Sequence, residues 1–107
     1  MTADALQGTL DLLILRTLAG EPRHGWAISR AIRERSGDVF RVNQGSLYPA
    51  LHRLEDRGWI AAEWQVVESG KRAKVYRLTA AGARQLRREE AGWHAFVAAV
   101  GRVLQPT

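Results

Sequence analysis

GSLYPALHRLEDRGWI, residues 45–60, with SGKRAKVYRLTAAG, residues 69–82, close behind it, is the part of the chain from which the architecture can be argued. Leu47, Leu51 and Leu54 recur at the spacing of one helical stripe, so a helix is predicted from a cap at Asn43 or Ser46 to about Arg57. At about 100° per residue the opposite side holds Gly45, Pro49, His52, Arg53 and Asp56, with Ser46 and Tyr48 on its flanks. Pro49 is tolerable because it stands near the helix start, where a missing N–H costs little. Gly58 ends the helix. Ile60 to Val67 and Lys74 to Leu78 are rich in β-branched and aromatic residues, and Ser69, Gly70 and Lys71 between them signal a hairpin turn. Thr79 then caps a last helix that runs to about Leu104, before Pro106.

Toward the N-terminus, Leu6, Leu10, Leu13, Ile14 and Leu18 predict a helix from about Leu6 to Ala19, ended by Gly20 and Pro22. A second helix is expected from His24 to about Ser36, with Trp26, Ile28 and Ile32 on or near its buried side and Arg30, Arg33 and Arg35 on the other. Gly37 and Asp38 close it, and Val39 to Val42 form an extended link. The fold class is therefore mainly α with a small β-hairpin. Two short helices feeding a third, followed by a hairpin, is the layout of a winged helix-turn-helix, here residues 1–78, with a C-terminal helix over 79–107. The stretch from Leu6 to Ala19, which includes the run LDLLIL, is interrupted by Asp11 and Arg16 and is shorter than the roughly 20 apolar residues of a membrane span. A cytoplasmic protein with no membrane partner is expected.

A chain of 107 residues, 46% hydrophobic and 25% charged, suits one folded domain with perhaps an accessory helix. Sixteen Lys and Arg against 11 Asp and Glu give a net charge of +5, which favours an anionic partner. There is no cysteine, and His24, His52 and His94 are too far apart for any metal-ligand spacing, so no metal or cofactor is expected. No nucleophile, base and metal cluster suggests an enzyme. From Lys71 to Arg88 the chain carries seven cations and no acid. Lys71, Arg72 and Lys74 sit at or beside the hairpin tip, placed to straddle phosphates of double-stranded DNA. The rival reading is a protein-interaction winged helix whose basic face serves an acidic partner.

In the third helix, Gly45, Ser46, Tyr48, Pro49, His52 and Arg53 are the groove-facing candidates. Ser46 can donate to a phosphate or base edge, and Arg53 can neutralise a phosphate or take guanine in bidentate fashion. Gly45 would allow close approach of the backbone. Tyr48 stays open between a DNA contact and a wedge against the hairpin. Pro49 stays open between a thymine-methyl contact and simply shaping the helix start. Along the last helix, Leu86, Trp93, Val97, Val100 and Leu104 form a stripe longer than a winged-helix core of this size can cover. Pairing with a second copy, helped by Leu6 and Leu10 of the first helix, would bury it.

The strings quoted above, together with LQGTLDLLILRTLAGEPRHGWAI over residues 6–28, resemble the PadR family of bacterial transcriptional regulators, over nearly the whole chain. Two departures are visible. Trp26 stands where the family commonly has a tyrosine after its HG pair, and Val75 precedes Tyr76 where the family often has two tyrosines. The resemblance implies a homodimeric repressor on a two-fold symmetric operator, released by a small molecule or another signal. It also implies that paired copies of Trp93 can sandwich a planar aromatic effector, with Phe96 lining the same region. The plainer alternative is that Trp93 only anchors the interface.

Overall fold

Side chains and turns at the predicted spacings produce seven elements in the computed structural model, which describes the backbone of residues 3–106 and the side chains of residues 8–106. They are α1 (Ala3–Gly20), β1 (Arg23–His24), α2 (Gly25–Arg35), α3 (Gln44–Asp56), β2 (Ile60–Val66), β3 (Arg72–Leu78) and α4 (Ala80–Leu104). The order is the predicted one, with one addition. The two-residue β1 pairs antiparallel with β3, Arg23 opposite Tyr76 and His24 opposite Val75, giving a three-stranded sheet in the order β1-β3-β2. Two residues after a proline carry no periodicity, so this strand is invisible to a pattern search.

The core joins all three leading helices to the sheet. Ile14, Leu15 and Leu18 of α1, Ile28 and Ile32 of α2, and Leu47, Ala50, Leu51 and Leu54 of α3 meet Ile60, Tyr76 and Leu86. Burying a large aliphatic side chain is worth about 1.5–3 kcal/mol, so three such leucines fix the rotation of α3 firmly. Local chemistry sets the helix ends. Asn43 accepts from the Ser46 N–H at 2.9 Å, and Thr79 accepts from the Gly82 N–H at 3.0 Å. Gly58 leaves α3 with a positive φ of 74°, and the Trp59 N–H then closes on the Leu54 carbonyl at 3.1 Å.

Several expectations need correction. Trp26 is 57% exposed rather than buried, because α2 buries the stripe Gly25, Ile28, Ala31 and Ile32, from which position 26 points away; the indole lies against His24, ring centroids 4.4 Å apart. Pro49 sits in the second turn of α3, beyond the free N-terminal donors, so one helical bond to the Gly45 carbonyl is missing. β3 starts at Arg72, not Lys74, because the ladder holds register as far as Val66 opposite Arg72. Leu86, expected at a copy's interface, is only 5% exposed and belongs to the chain's own core. Leu10 packs partly buried against that same core, and the side chain of Leu6 lies outside the described residues.

α4 divides in two. Its first turns, through Gly82 and Leu86, are buried against the body. From Ala91 onward its side chains are almost all exposed, including Trp93, Phe96, Val97, Val100, Val103 and Leu104. A 25-residue helix is about 37 Å long, which accounts for much of the molecule's longest dimension of 60 Å.

Candidate nucleic-acid interface

α3 presents Gly45, Ser46, Tyr48, Pro49, His52 and Asp56 at the surface. Gly45 has a local reason to be glycine: a Cβ there would come within 3.3 Å of Asn43 Oδ1, the atom that caps the helix. His52 faces Asp56 one turn on, Nε2 to Oδ2 3.7 Å, with both side chains in solvent. Tyr48 lays its ring over Gly25, where a Cβ would meet the hydroxyl at 3.0 Å. This contact wedges α3 against the start of α2 and leaves the ring nearly half exposed.

Arg53 is placed differently from expectation. Its guanidinium donates to Asp11 Oδ1 at 3.0 Å, tying α3 to α1 across 42 residues of sequence. Burial pushes the Asp11 carboxyl up from its ordinary range, against the pull of Arg53 and Arg57. Position 53 is about 110° from the middle of the buried stripe, and a long side chain there reaches the neighbouring helix as easily as solvent. Lys74 is also not at a tip. It lies inside β3, its ammonium 3.1 Å from Glu55 Oε1 and 5.6 Å from the Tyr76 ring. The hydrogen bond to Glu55 raises the Lys74 pKa. Glu55 and Arg53 leave α3 on opposite flanks, so the two ion pairs hold the helix from both sides.

The wing tip is the turn over residues 67–71, closed by Val67 N–H to the Lys71 carbonyl at 2.9 Å and Gly70 N–H to the Val67 carbonyl at 2.8 Å. Lys71 and Arg72 are exposed there, with no carboxylate partner among the described residues. The Arg72 guanidinium instead lies over Trp64, 5.4 Å from the ring centroid. Trp64 was not singled out from the sequence, although its place three residues before the turn on an exposed strand face was readable. Between wing, α3 and the start of α2 lies a hollow of about 440 Å³ lined by His24, Trp26, Tyr48, Trp64, Arg72 and Lys74, among others. Arg30 and Arg33 are engaged elsewhere, with Glu34 and Asp38 respectively.

A second cavity, about 320 Å³, opens between α1 and α4. Gly8, Thr9 and Leu12 line it from one side, and Glu89, Gly92, Trp93 and Phe96 from the other. The Trp93 and Phe96 rings are 5.9 Å apart and inclined by 28°. Glu89 was missed by the sequence reading, although Glu89, Gly92, Trp93 and Phe96 follow the i, i+3, i+4, i+7 spacing of one helix face. Burial pushes its carboxyl pKa up.

A polar helix face beside a basic wing, on four helices and a three-stranded antiparallel sheet, is the build of a winged-helix transcriptional regulator. The PadR-like family of transcriptional regulators matches residues 14–88. This chain belongs to that family. It is 42% identical over 71 residues to transcriptional regulator Rv3488 of Mycobacterium tuberculosis, a match covering 66% of this chain and 63% of that protein. A PadR family regulator from Eggerthella lenta superposes with a TM-score of 0.82 at 36% identity, over 96% of this chain and 88% of its own. A transcriptional regulator from Clostridium thermocellum gives a TM-score of 0.86 at 25% identity, over 98% and 99% of the two chains. Members of the family are DNA-binding regulators rather than enzymes, and they typically form dimers. No helix among the described residues is long and apolar enough to cross a membrane.

Proposed function

We propose that the chain is a homodimeric repressor that binds a palindromic operator and releases it when a planar aromatic effector enters the cavity beside Trp93 and Phe96. The observation that carries the DNA-binding reading is the exposed strip of α3 beside wing-tip cations that have no carboxylate partner among the described residues. In this mechanism Gly45, Ser46, Tyr48, Pro49 and His52 face the major groove, and Lys71 and Arg72 grip the flanking phosphates. The grip releases counterions, so affinity falls as salt rises. The module over residues 1–78 reads one half-site per copy, and half-sites about 34 Å apart suit two copies. The helix over residues 79–107 pairs the copies. Exposed Trp93, Val97, Val100 and Leu104 support that role, because an apolar strip of this length is unusual on a monomer. An effector would act by favouring a dimer geometry that no longer matches the operator spacing, to the extent that it binds the two geometries unequally.

Fluorescence anisotropy against the duplex upstream of the chain's own gene and a shuffled duplex, across salt concentrations, tests the reading. Tight binding to the native duplex that survives salt far better than binding to the shuffled one is expected. The double change Lys71→Glu, Arg72→Glu should weaken binding to every sequence and flatten the salt slope by about two phosphate contacts. An unchanged slope would sink the wing's role.

A further inference from the structure

We propose that the hollow between the wing, α3 and the start of α2 takes an unpaired nucleotide, so that the chain binds single-stranded DNA there. This goes beyond the duplex reading above and rests on it only in taking the wing cations as phosphate contacts. The observation behind it is a pair of tryptophans that the fold does not use. Trp26 is 57% exposed and Trp64 60% exposed, and the core closes without either. Both line the same hollow of about 440 Å³, together with the half-exposed Tyr48. Trp93, by contrast, stands on the strip of α4 that pairs with a second copy in the reading above.

The sheet register brings rings and cations into one space. Trp64 of β2 stands opposite Lys74 of β3, and alternation along β3 puts Arg72, Lys74 and Tyr76 on that same face. Lys74 is held by Glu55 and Tyr76 is buried in the core, which leaves Arg72 to meet an anion. Its guanidinium lies 5.4 Å from the Trp64 centroid, and His24 lies 4.4 Å from Trp26, so each exposed indole is braced from one side. A ring held in place loses less freedom when a ligand stacks on it. Among the described residues no acidic side chain lines this hollow, whereas the larger groove that shares His24 and Trp26 is edged by Glu21 and Glu68.

The two features together select the ligand. Ring faces take a flat base and a cation takes a phosphate, and a nucleotide carries the two side by side. In a duplex the faces of each base are covered by its neighbours, so stacking on these rings requires an unpaired base. The volume is within the roughly 300–1,000 Å³ typical of small-molecule sites, which suits one nucleotide and not a run of them. Every base has such a face, so recognition here is tolerant of sequence. A strand held in the hollow uses Arg72 and therefore competes with duplex DNA for the wing.

The test uses two labelled strands with the same number of phosphates, a dodecamer of thymidylate and a dodecamer of abasic deoxyribose phosphate. Each is titrated with the full chain at one fixed salt concentration and followed by anisotropy. Thymidylate should bind about tenfold or more tighter, within the roughly fivefold to hundredfold that one stacked base contributes. Trp26→Leu and Trp64→Leu, both at exposed positions, keep apolar bulk but remove the ring face. Each should lower the affinity for thymidylate about fivefold or more and leave the abasic strand within about twofold. Equal affinity for the two strands overturns the site. So do variants that hold thymidylate as the parent does, or that weaken both strands alike. Binding of the upstream duplex with no binding of either strand also overturns it, and all these outcomes leave the duplex reading standing. A chain that holds neither strand nor the duplex overturns both.

Discussion

Gly82→Ala pits helix propensity against packing at the joint between α4 and the sheet. Propensity alone favours alanine by up to about 1 kcal/mol in a helix. Packing opposes it: a Cβ at position 82 would stand 1.9 Å from the Trp59 carbonyl oxygen and 2.8 Å from both the Trp59 carbonyl carbon and Leu78 Cδ1. Two of those three atoms are main chain, so the strain cannot be relieved by turning a flexible side chain. α4 would have to lift by at least about 1 Å, and overpacking of that kind costs about 1–3 kcal/mol. The lift also pulls on the bonds that seat the helix: Thr79 N–H to the Trp59 carbonyl at 3.1 Å and Thr79 Oγ1 to the Gly58 carbonyl at 2.7 Å. Losing a cap adds about 1 kcal/mol. The net expectation is a loss of about 1–3 kcal/mol, with the melting temperature falling by about 4–8 °C for each kcal/mol. Gly92→Ala, in the same helix with nothing within 4 Å, should instead gain about 0.5–1 kcal/mol. Urea unfolding at one fixed protomer concentration measures both, the fixed concentration keeping the mass-action contribution of dimerisation the same in parent and variants. A Gly82→Ala variant within about 0.5 kcal/mol of the parent would refute the close approach of α4 to Trp59 and the reasoning built on it.

Arg53→Ala should lower stability, by leaving the buried Asp11 carboxylate without its partner, and should leave the salt slope of DNA binding unchanged; a slope reduced by about one phosphate contact would instead return Arg53 to the groove. Glu89→Gln should make the chain more stable than the parent near neutral pH, with the margin shrinking as pH falls through the carboxylate range. The sign follows from the raised pKa: the folded chain holds the Glu89 proton more tightly than the unfolded one, so its contribution to stability falls as pH rises through the folded-state pKa. Gln85, Asp11 and Arg57 are common to both chains, so the difference in thermal unfolding between parent and variant isolates Glu89. A margin that grows on acidification would contradict the burial argument.

What could be read from the sequence was mostly what the chain settles locally. The caps at Asn43 and Thr79, the turn at Gly58 and the leucine stripe of α3 each depend on residues within one or two turns, and each stands where the pattern places it. The hairpin follows from residue types and a glycine turn. Misplacements arose where a long side chain or a very short element found a partner far along the chain. Arg53 is set by Asp11, Lys74 by Glu55, and β1 by Val75 and Tyr76. Leu86 falls in the same class. Its spacing joins it to the stripe of Trp93 and Val97, but α1 packs beside α4 and Leu86 joins the chain's own core before any second copy is needed.

These distant partners also bear on how narrow the reading surface of α3 is. Asp11 draws Arg53 toward α1 on one flank, and Lys74 draws Glu55 toward β3 on the other. The Lys74–Glu55 pair is partly exposed and worth only about 0–1 kcal/mol. The Arg53–Asp11 pair offsets the cost of burying Asp11 rather than adding net attraction, so the buried leucines supply the affinity of α3 for the body. The pairs instead neutralise charges on the flanks that would otherwise bias how the helix meets phosphate. What is left facing outward is a strip about one residue wide per turn, Gly45, Pro49, His52 and Asp56, with Ser46 and Tyr48 at its edges. A strip that short carries few base-edge donors, and Asp56 repels phosphate. On the proposed reading, operator preference would therefore depend on His52, Ser46 and Tyr48 more than on Arg53, and affinity on the cations of the wing.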